Sequence, residues 1–184
     1  MEEIKFYLKN EPYFEFSNYY MSPFIKKNIQ YMSIEHYFQS QKFNQPNNKL
    51  AMEYFNLIIQ ADTPQKMKDM GNQKTNYRGC KWFINKNNKN LGLMNDIIKQ
   101  YKSLITIRDD WNDIRDKIMY KGLKKKFKDP ELKKILLNTG DAYLIENSPR
   151  DYYWGIGKDG NGENKLGKLL MKLRHKHQMD PHAH

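Results

Sequence analysis

Helix punctuation, repeated along most of its length, is what most restricts how this chain can fold. Asp129-Pro130 opens a segment in which Leu132, Ile135 and Leu136 recur with helical spacing, and Gly140 closes it. The aspartate can accept from the free N–H groups of a first turn, the proline suits the first helical position and the glycine tolerates a left-handed exit. Thr63-Pro64 opens another helix that Gly71 ends. Ser33 can cap a helix over Ile34 to Phe43, Leu50 to Ile59 form one more, and Asp109 or Asp110 starts a longer one with Trp111, Ile114, Ile118 and Leu123 on its buried stripe. Asn164 can cap the last, where Leu166, Leu169, Leu170 and Leu173 fall at i, i+3, i+4 and i+7. Strand signals are few, at Ile4 to Leu8 and Tyr143 to Glu146, with an aromatic turn region through Phe14, Phe16, Tyr19 and Tyr20. The expected fold is mainly α, a compact single domain with a few short β-strands.

A chain of 184 residues buries one core without covalent staples, and neither a repeat nor a long linker divides it. Residues 1–174 are expected to form the domain and 175–184 a disordered tail. Cys80 is the single cysteine, which excludes an intrachain disulfide and a cysteine-based zinc cluster; no metal is expected. The start of the chain lacks the pattern of a signal peptide and no stretch reaches membrane-spanning length, so a soluble cytoplasmic protein is expected, acting in host cytoplasm if the source is viral. A net charge of +11 attracts phosphate-bearing partners, although lysine and asparagine codons of an AT-rich genome account for such an excess equally well. Asn85 to Asn90 reads as an exposed loop, and the five lysines of Lys121 to Lys128 as the solvated end of a helix.

Two segments carry chemistry. On the helix after Ser33, Glu35, Gln39 and Lys42 stand at i, i+4 and i+7 on one narrow face, flanked by Phe38 and Phe43. Aromatic neighbours favour burial and draw the polar stripe inward, where a carboxylate and an amine are raw material for acid–base or covalent catalysis. His36 points away from that stripe and reads as a packing or surface residue. The second segment, from Asn147 to Asn164, contains Gly155, Gly157 and Gly160 in G-x-G-x-x-G spacing without the strand and βαβ unit of a dinucleotide fold. It reads as a flexible glycine loop entering a helix N-terminus, a place for phosphate, with Asp151 and Trp154 beside it as a carboxylate and an aromatic plate.

Taken in order, Phe16-Ser17-Asn18, Glu35-His-Tyr-Phe-Gln39, Gln41-Lys-Phe43, Arg108, Trp111, Thr139-Gly-Asp141, Asp151, Trp154-Gly-Ile-Gly157, Asn164, Leu166-Gly167 and Leu170-Met171 resemble the NADAR or YbiA-like family from about Phe6 to Arg174. The resemblance implies the YbiA-like helical fold and hydrolysis of N-glycosidic bonds with no cofactor. Two substrate classes go with it: ADP-ribose on guanine of nucleic acid or nucleotide, and ribosylamino-pyrimidine phosphates of riboflavin synthesis. A module that binds ADP-ribose or NAD without turnover is the rival. By motif position, the resemblance implies Glu35, Lys42 and Asp151 as catalytic residues. It implies Phe16, Ser17, Asn18, Gln39, Arg108, Trp111, Trp154, Gly155, Gly157 and Asn164 as substrate-binding, with ADP-ribosylated DNA or RNA as partners and Arg108 and the N–H groups near Asn164 as phosphate ligands. The region between Gly71 and Tyr101 is longer than in compact relatives and is expected to help form a substrate rim.

Overall fold

The computed structural model describes residues 2–71 and 105–179. It bears out a mainly helical chain with a few short strands. Among the described residues the order is β1 (Glu3–Phe6), a 3-10 turn (Phe14–Phe16), β2 (Phe24–Lys26), β3 (Ile29–Tyr31), α1 (Ile34–Gln41), α2 (Lys49–Ile59), α3 (Pro64–Gly71), α4 (Trp111–Lys126), α5 (Pro130–Asn138), β4 (Tyr143–Glu146) and α6 (Lys165–Met179). Cys80, the loop over Asn85 to Asn90 and the rest of the long region beyond Gly71 lie outside the described residues. No helix among the described residues is long and apolar enough to cross a membrane. The chain packs as two units, one from its two ends, up to Gln30 and from Met119 onward, the other from Tyr31–Ile118. Neither boundary is a linker, since one lies in β3 and the other inside α4.

The caps at Ser33 and Asp129 work as read. Ser33 Oγ accepts from the His36 N–H at 3.2 Å, and Asp129 Oδ1 accepts from Glu131 and Leu132 at 2.9 and 3.1 Å. Asn48, which carried no separate signal, caps α2 by accepting from Ala51 at 3.0 Å. The β2–β3 hairpin has no Asn-Gly signature and escapes a sequence reading. It turns on Lys27 and Asn28, both at positive φ as a two-residue hairpin turn demands.

In the middle unit, α1 packs against α2 and α3. His36 fastens it: the Met32 N–H donates to Nδ1 at 3.1 Å and Nε2 contacts the Ile58 carbonyl at 2.8 Å, which makes Nε2 the protonated nitrogen of a neutral ring. Burial lowers the pKa of this imidazole, so His36 is the packing residue expected.

In the unit formed by the chain ends, β1 and β4 pair in parallel, Glu3 opposite Tyr143 and Phe6 opposite Glu146. Ile4 and Phe6 are buried between exposed Glu3 and Lys5, a period of two that turns one face of β1 to the core. Phe6, Phe16 and Phe127 form that core, with ring centroids 5.6 and 6.1 Å apart in succession. β1 ends at Phe6, short of the expected Leu8, which is exposed.

Asn164 does something other than cap α6 with its side chain. Its Oδ1 accepts from the Glu146 N–H at 3.0 Å and its Nδ2 donates to the Leu144 carbonyl at 2.9 Å, so the side-chain amide pairs with β4 much as another strand would. The residue takes a left-handed φ of 50° to reach it. α6 then runs past the expected end at Arg174 to Met179, and 180–184 lie outside the described residues. Arg174 anchors the last turns by donating to Thr139 Oγ1 at 2.7 Å, and Lys176 and His177 sit in the last turn, where a cation suits the helix dipole.

Replacing Asn164 by alanine strips two buried backbone groups of their partners. Denaturant unfolding of Asn164→Ala is expected to show a loss of about 2–4 kcal/mol, and a loss under about 0.5 kcal/mol would contradict this role.

Candidate active site

All eight residues of α1 are buried, polar ones included. The helix that holds Glu35, Gln39 and Lys42 is therefore an interior helix, as its flanking aromatics imply. Glu35 is 5% exposed and accepts from Gln39 Nε2 at 2.8 Å across one turn. Lys42 follows as the C-cap, and its Nζ donates to the Gly71 carbonyl at 2.9 Å. The amine stands 5.7 Å from the Phe38 ring centroid and 5.8 Å from that of Trp111, two rings packed edge to face at 4.9 Å.

Burial lowers the Lys42 pKa to about 8; the Glu35 carboxylate pulls it upward and the like charge of Lys68 pushes it further down. Near neutral pH such an amine has both protonation states within reach, which an ordinary lysine lacks. Gly71 is the residue the sequence marked only as a helix end. Its carbonyl holds Lys42, and a Cβ at that position would collide with the Gln39 amide. Gln39 Oε1 is buried with no hydrogen-bond partner among the described residues, which leaves an acceptor beside the carboxylate.

Arg108 and Trp111 join this cluster. The Arg108 N–H donates to the Lys42 carbonyl at 3.0 Å and its own carbonyl accepts from Trp111 at 3.1 Å, so its backbone fixes both neighbours. Its guanidinium forks onto Asp110, with Nη2 to Oδ2 at 2.9 Å, and donates to the Asn44 carbonyl at 3.1 Å. Trp111 is 9% exposed and forms an aromatic wall to Lys42.

The remaining expected site residues lie in the unit built from the chain ends. Asp151 Oδ1 accepts from the Tyr153 and Trp154 N–H groups at 2.9 and 2.7 Å, which curls the loop and aims the Trp154 ring against Tyr153 at 5.0 Å. The glycine loop is not an open cradle. Gly157 donates to the Ser148 and Asp151 carbonyls, Asn164 to Gly155, Lys165 to Tyr153 and Leu166 to Trp154, all within 3.1 Å. The amides that an anion at the start of α6 would need are thus bonded inside the loop, and Asn164's side chain belongs to β4. Gly155 is there for close packing, since a Cβ would press on the Glu146 and Asp151 carbonyls.

Phe16 is fully buried in the aromatic core and does not face solvent. Ser17 Oγ accepts from Tyr19 at 3.2 Å, while its carbonyl accepts from Tyr20. Asn18 is half-buried, with Oδ1 enclosed and without a partner among the described residues. Lys126 escaped the sequence reading, which put it on a solvated helix end; it is 1% exposed. The missed signal is its spacing, i+7 from Met119 and i+3 from Leu123, which continues the buried stripe of α4.

The NADAR domain model matches residues 5–177. The chain belongs to the NADAR family. Among NADAR-type relatives, the N-glycosidase YbiA of Escherichia coli (strain K12) is 30% identical over 172 residues, covering 93% of this chain and 86% of the relative. An N-glycosidase of Nostoc punctiforme is likewise 30% identical over 172 residues, covering 93% of this chain and 90% of its own. The chloroplastic riboflavin biosynthesis protein PYRR of Arabidopsis thaliana is 51% identical over 69 residues, 37% of this chain and 12% of that protein. The NMR structure of E. coli YbiA superposes with a TM-score of 0.72 at 28% identity, covering 100% of this chain and 89% of that one. These relatives place this NADAR chain among the N-glycosyl hydrolases.

Gly71→Ala tests the geometry around Lys42. Displacing Gln39 and the Gly71 carbonyl together is expected to lower kcat/KM at least about tenfold in a folded protein, by misplacing groups without deleting them. Unchanged kinetics would contradict the contacts assigned to Gly71.

Proposed function

We propose that this NADAR enzyme hydrolyses the bond between the ribose C1 of ADP-ribose and guanine, in a nucleotide or in nucleic acid, acting in the cytoplasm. The observation that carries the proposal is the buried Lys42 amine, with a pKa lowered to about 8, held beside Glu35 between two aromatic rings. Cleavage of an N-glycosidic bond builds positive charge on C1 and negative charge on the departing base, so the site must offer a carboxylate for the first and a proton for the second. Glu35 supplies the carboxylate. In the unit built from the chain ends, Asp151 keeps Oδ1 engaged by its own loop, and Trp154 stands three residues on.

Burial favours the neutral form of Lys42 and so supports a nucleophilic role. The amine bonds to C1, the C1–N bond to the base breaks, and the base takes the electron pair and a proton. The sugar ring opens to give a Schiff base, and one water then hydrolyses it and frees the lysine. A net charge of +11 favours the more heavily phosphorylated substrate. The similarity to PYRR favours a second reading, in which the same site acts on a ribosylamino-pyrimidine phosphate of riboflavin synthesis.

Incubation with ADP-ribosylated guanosine and with a ribosylamino-pyrimidine phosphate, followed by detection of the released base, separates the two. Release of guanosine is expected; release from the pyrimidine compound alone selects the second reading. Lys42→Ala and Glu35→Gln are each expected to lower turnover by about a thousandfold or more, in the range seen when a covalent catalyst or its partner is removed. The rate should rise with pH through about 8 and level off above it, because the neutral amine is the reactive form. A rate that falls through the same interval makes Lys42 a proton donor instead.

A further inference from the structure

Tyr54, on α2, is fully buried, and the chemistry above does not call on it. Its ring packs edge to face on Phe43 at 4.7 Å, a contact that a phenylalanine would make as well. The hydroxyl is what a tyrosine adds, and a buried hydroxyl costs free energy unless it is bonded. Its proton goes to the Met70 carbonyl at 2.8 Å.

These two contacts fall on either side of the bond that holds the reactive amine. Phe43 follows Lys42 in the chain, and Met70 precedes Gly71, whose carbonyl accepts from Lys42 Nζ at 2.9 Å. α3 has little slack here. Met67 and Met70 are buried, the Ser33 hydroxyl meets Met67 Sδ at 3.9 Å, and Gly71 lies so near the Gln39 amide that a Cβ would collide with it. Without the Tyr54 proton the Met70 carbonyl loses its side-chain donor, and a buried acceptor in that state turns or draws in water. Either response shifts the adjoining Gly71 carbonyl against α1. We infer that Tyr54 is a positioning residue, which ties Met70 to α2 so that the Gly71 carbonyl keeps the Lys42 amine in place between the Phe38 and Trp111 rings. All of these residues belong to the middle unit. The inference rests on the reading of Lys42 as the reactive amine, and extends it to the group that fixes its acceptor.

Tyr54→Phe keeps the ring and deletes only the hydroxyl. Asn48→Ala is its control, since it removes the side-chain cap of the same helix, where Asn48 accepts from the Ala51 N–H, without removing a bond to α3. Both variants are expected to fold and to unfold at lower denaturant concentration than the wild type. In Tyr54→Phe, kcat should fall about tenfold with KM within about twofold, the pattern of a misplaced reacting group, whereas both constants should stay within about twofold in Asn48→Ala. Gly71→Ala displaces the same carbonyl, so adding Tyr54→Phe to it should lower kcat by less than about threefold more. Water admitted beside Met70 relieves the burial of the amine, so the Lys42 titration midpoint should move from about 8 toward 10.5, by about half a pH unit or more, in Tyr54→Phe and stay in Asn48→Ala. That readout needs no substrate. A shifted midpoint beside a fully active Lys42→Ala would uphold Tyr54 as the group that holds the amine and overturn the chemistry assigned to Lys42 instead. An unshifted midpoint in Tyr54→Phe, or equal losses of kcat in Tyr54→Phe and Asn48→Ala, overturns the role of Tyr54.

Discussion

Burying a whole helix that carries polar side chains forces most of those groups to find a partner, and in α1 the solutions to that problem shape the candidate site. Ser33 caps the helix, His36 bridges Met32 and Ile58, Ser40 donates to the Tyr37 carbonyl at 2.8 Å and Glu35 receives the Gln39 amide. The same enclosure raises the pKa of the neighbouring Tyr31 phenol to about 12. Lys42, at the helix end, has one carbonyl and two ring faces, and its charged form is penalised as a result. Between about pH 8 and the ordinary lysine value of 10.5 the folded chain binds fewer protons at this position than the unfolded one. This group therefore makes stability rise with pH across that interval and gives up stability below it. That cost is what places a reactive amine near neutral pH.

The unit made from the chain ends solves a different problem. Its loop from Asp151 to Lys165 folds its backbone donors onto its own carbonyls and onto β4, and uses the Asn164 amide to close the edge of that strand. A loop bonded in this way cannot open its amides to an anion without losing them from the fold. What it presents is a fixed arrangement of side chains: Asp151 with one oxygen engaged and Trp154 held by a backbone bond to that carboxylate.

Most of the helices were legible because their boundaries are written in side chains that act locally. Asp129 and Ser33 bond to amides two or three residues away, so local sequence is enough. The inward turn of Glu35, Gln39 and Lys42 was legible for a related reason, since their spacing and aromatic neighbours are also local. What escaped depends on partners far away in the chain. Asn164 looks like a cap until β4, eighteen residues earlier, is known to need its amide. Nothing local to Arg108 announces that its guanidinium bonds to the Asn44 carbonyl, 64 residues earlier. Gly71 reads as punctuation, yet it meets Lys42 across 29 residues. Lys126 was hidden by composition, one lysine of a run whose neighbours Lys124 and Lys128 are exposed.

The measurement closest to the central claim is an NMR titration of the Lys42 side chain, assigned by its absence in Lys42→Arg and followed through its ε-methylene and amine resonances. A midpoint near 8 is the result expected if burial on α1 has prepared this amine for chemistry. A midpoint at the ordinary value of 10.5 would show a solvated lysine and contradict the account.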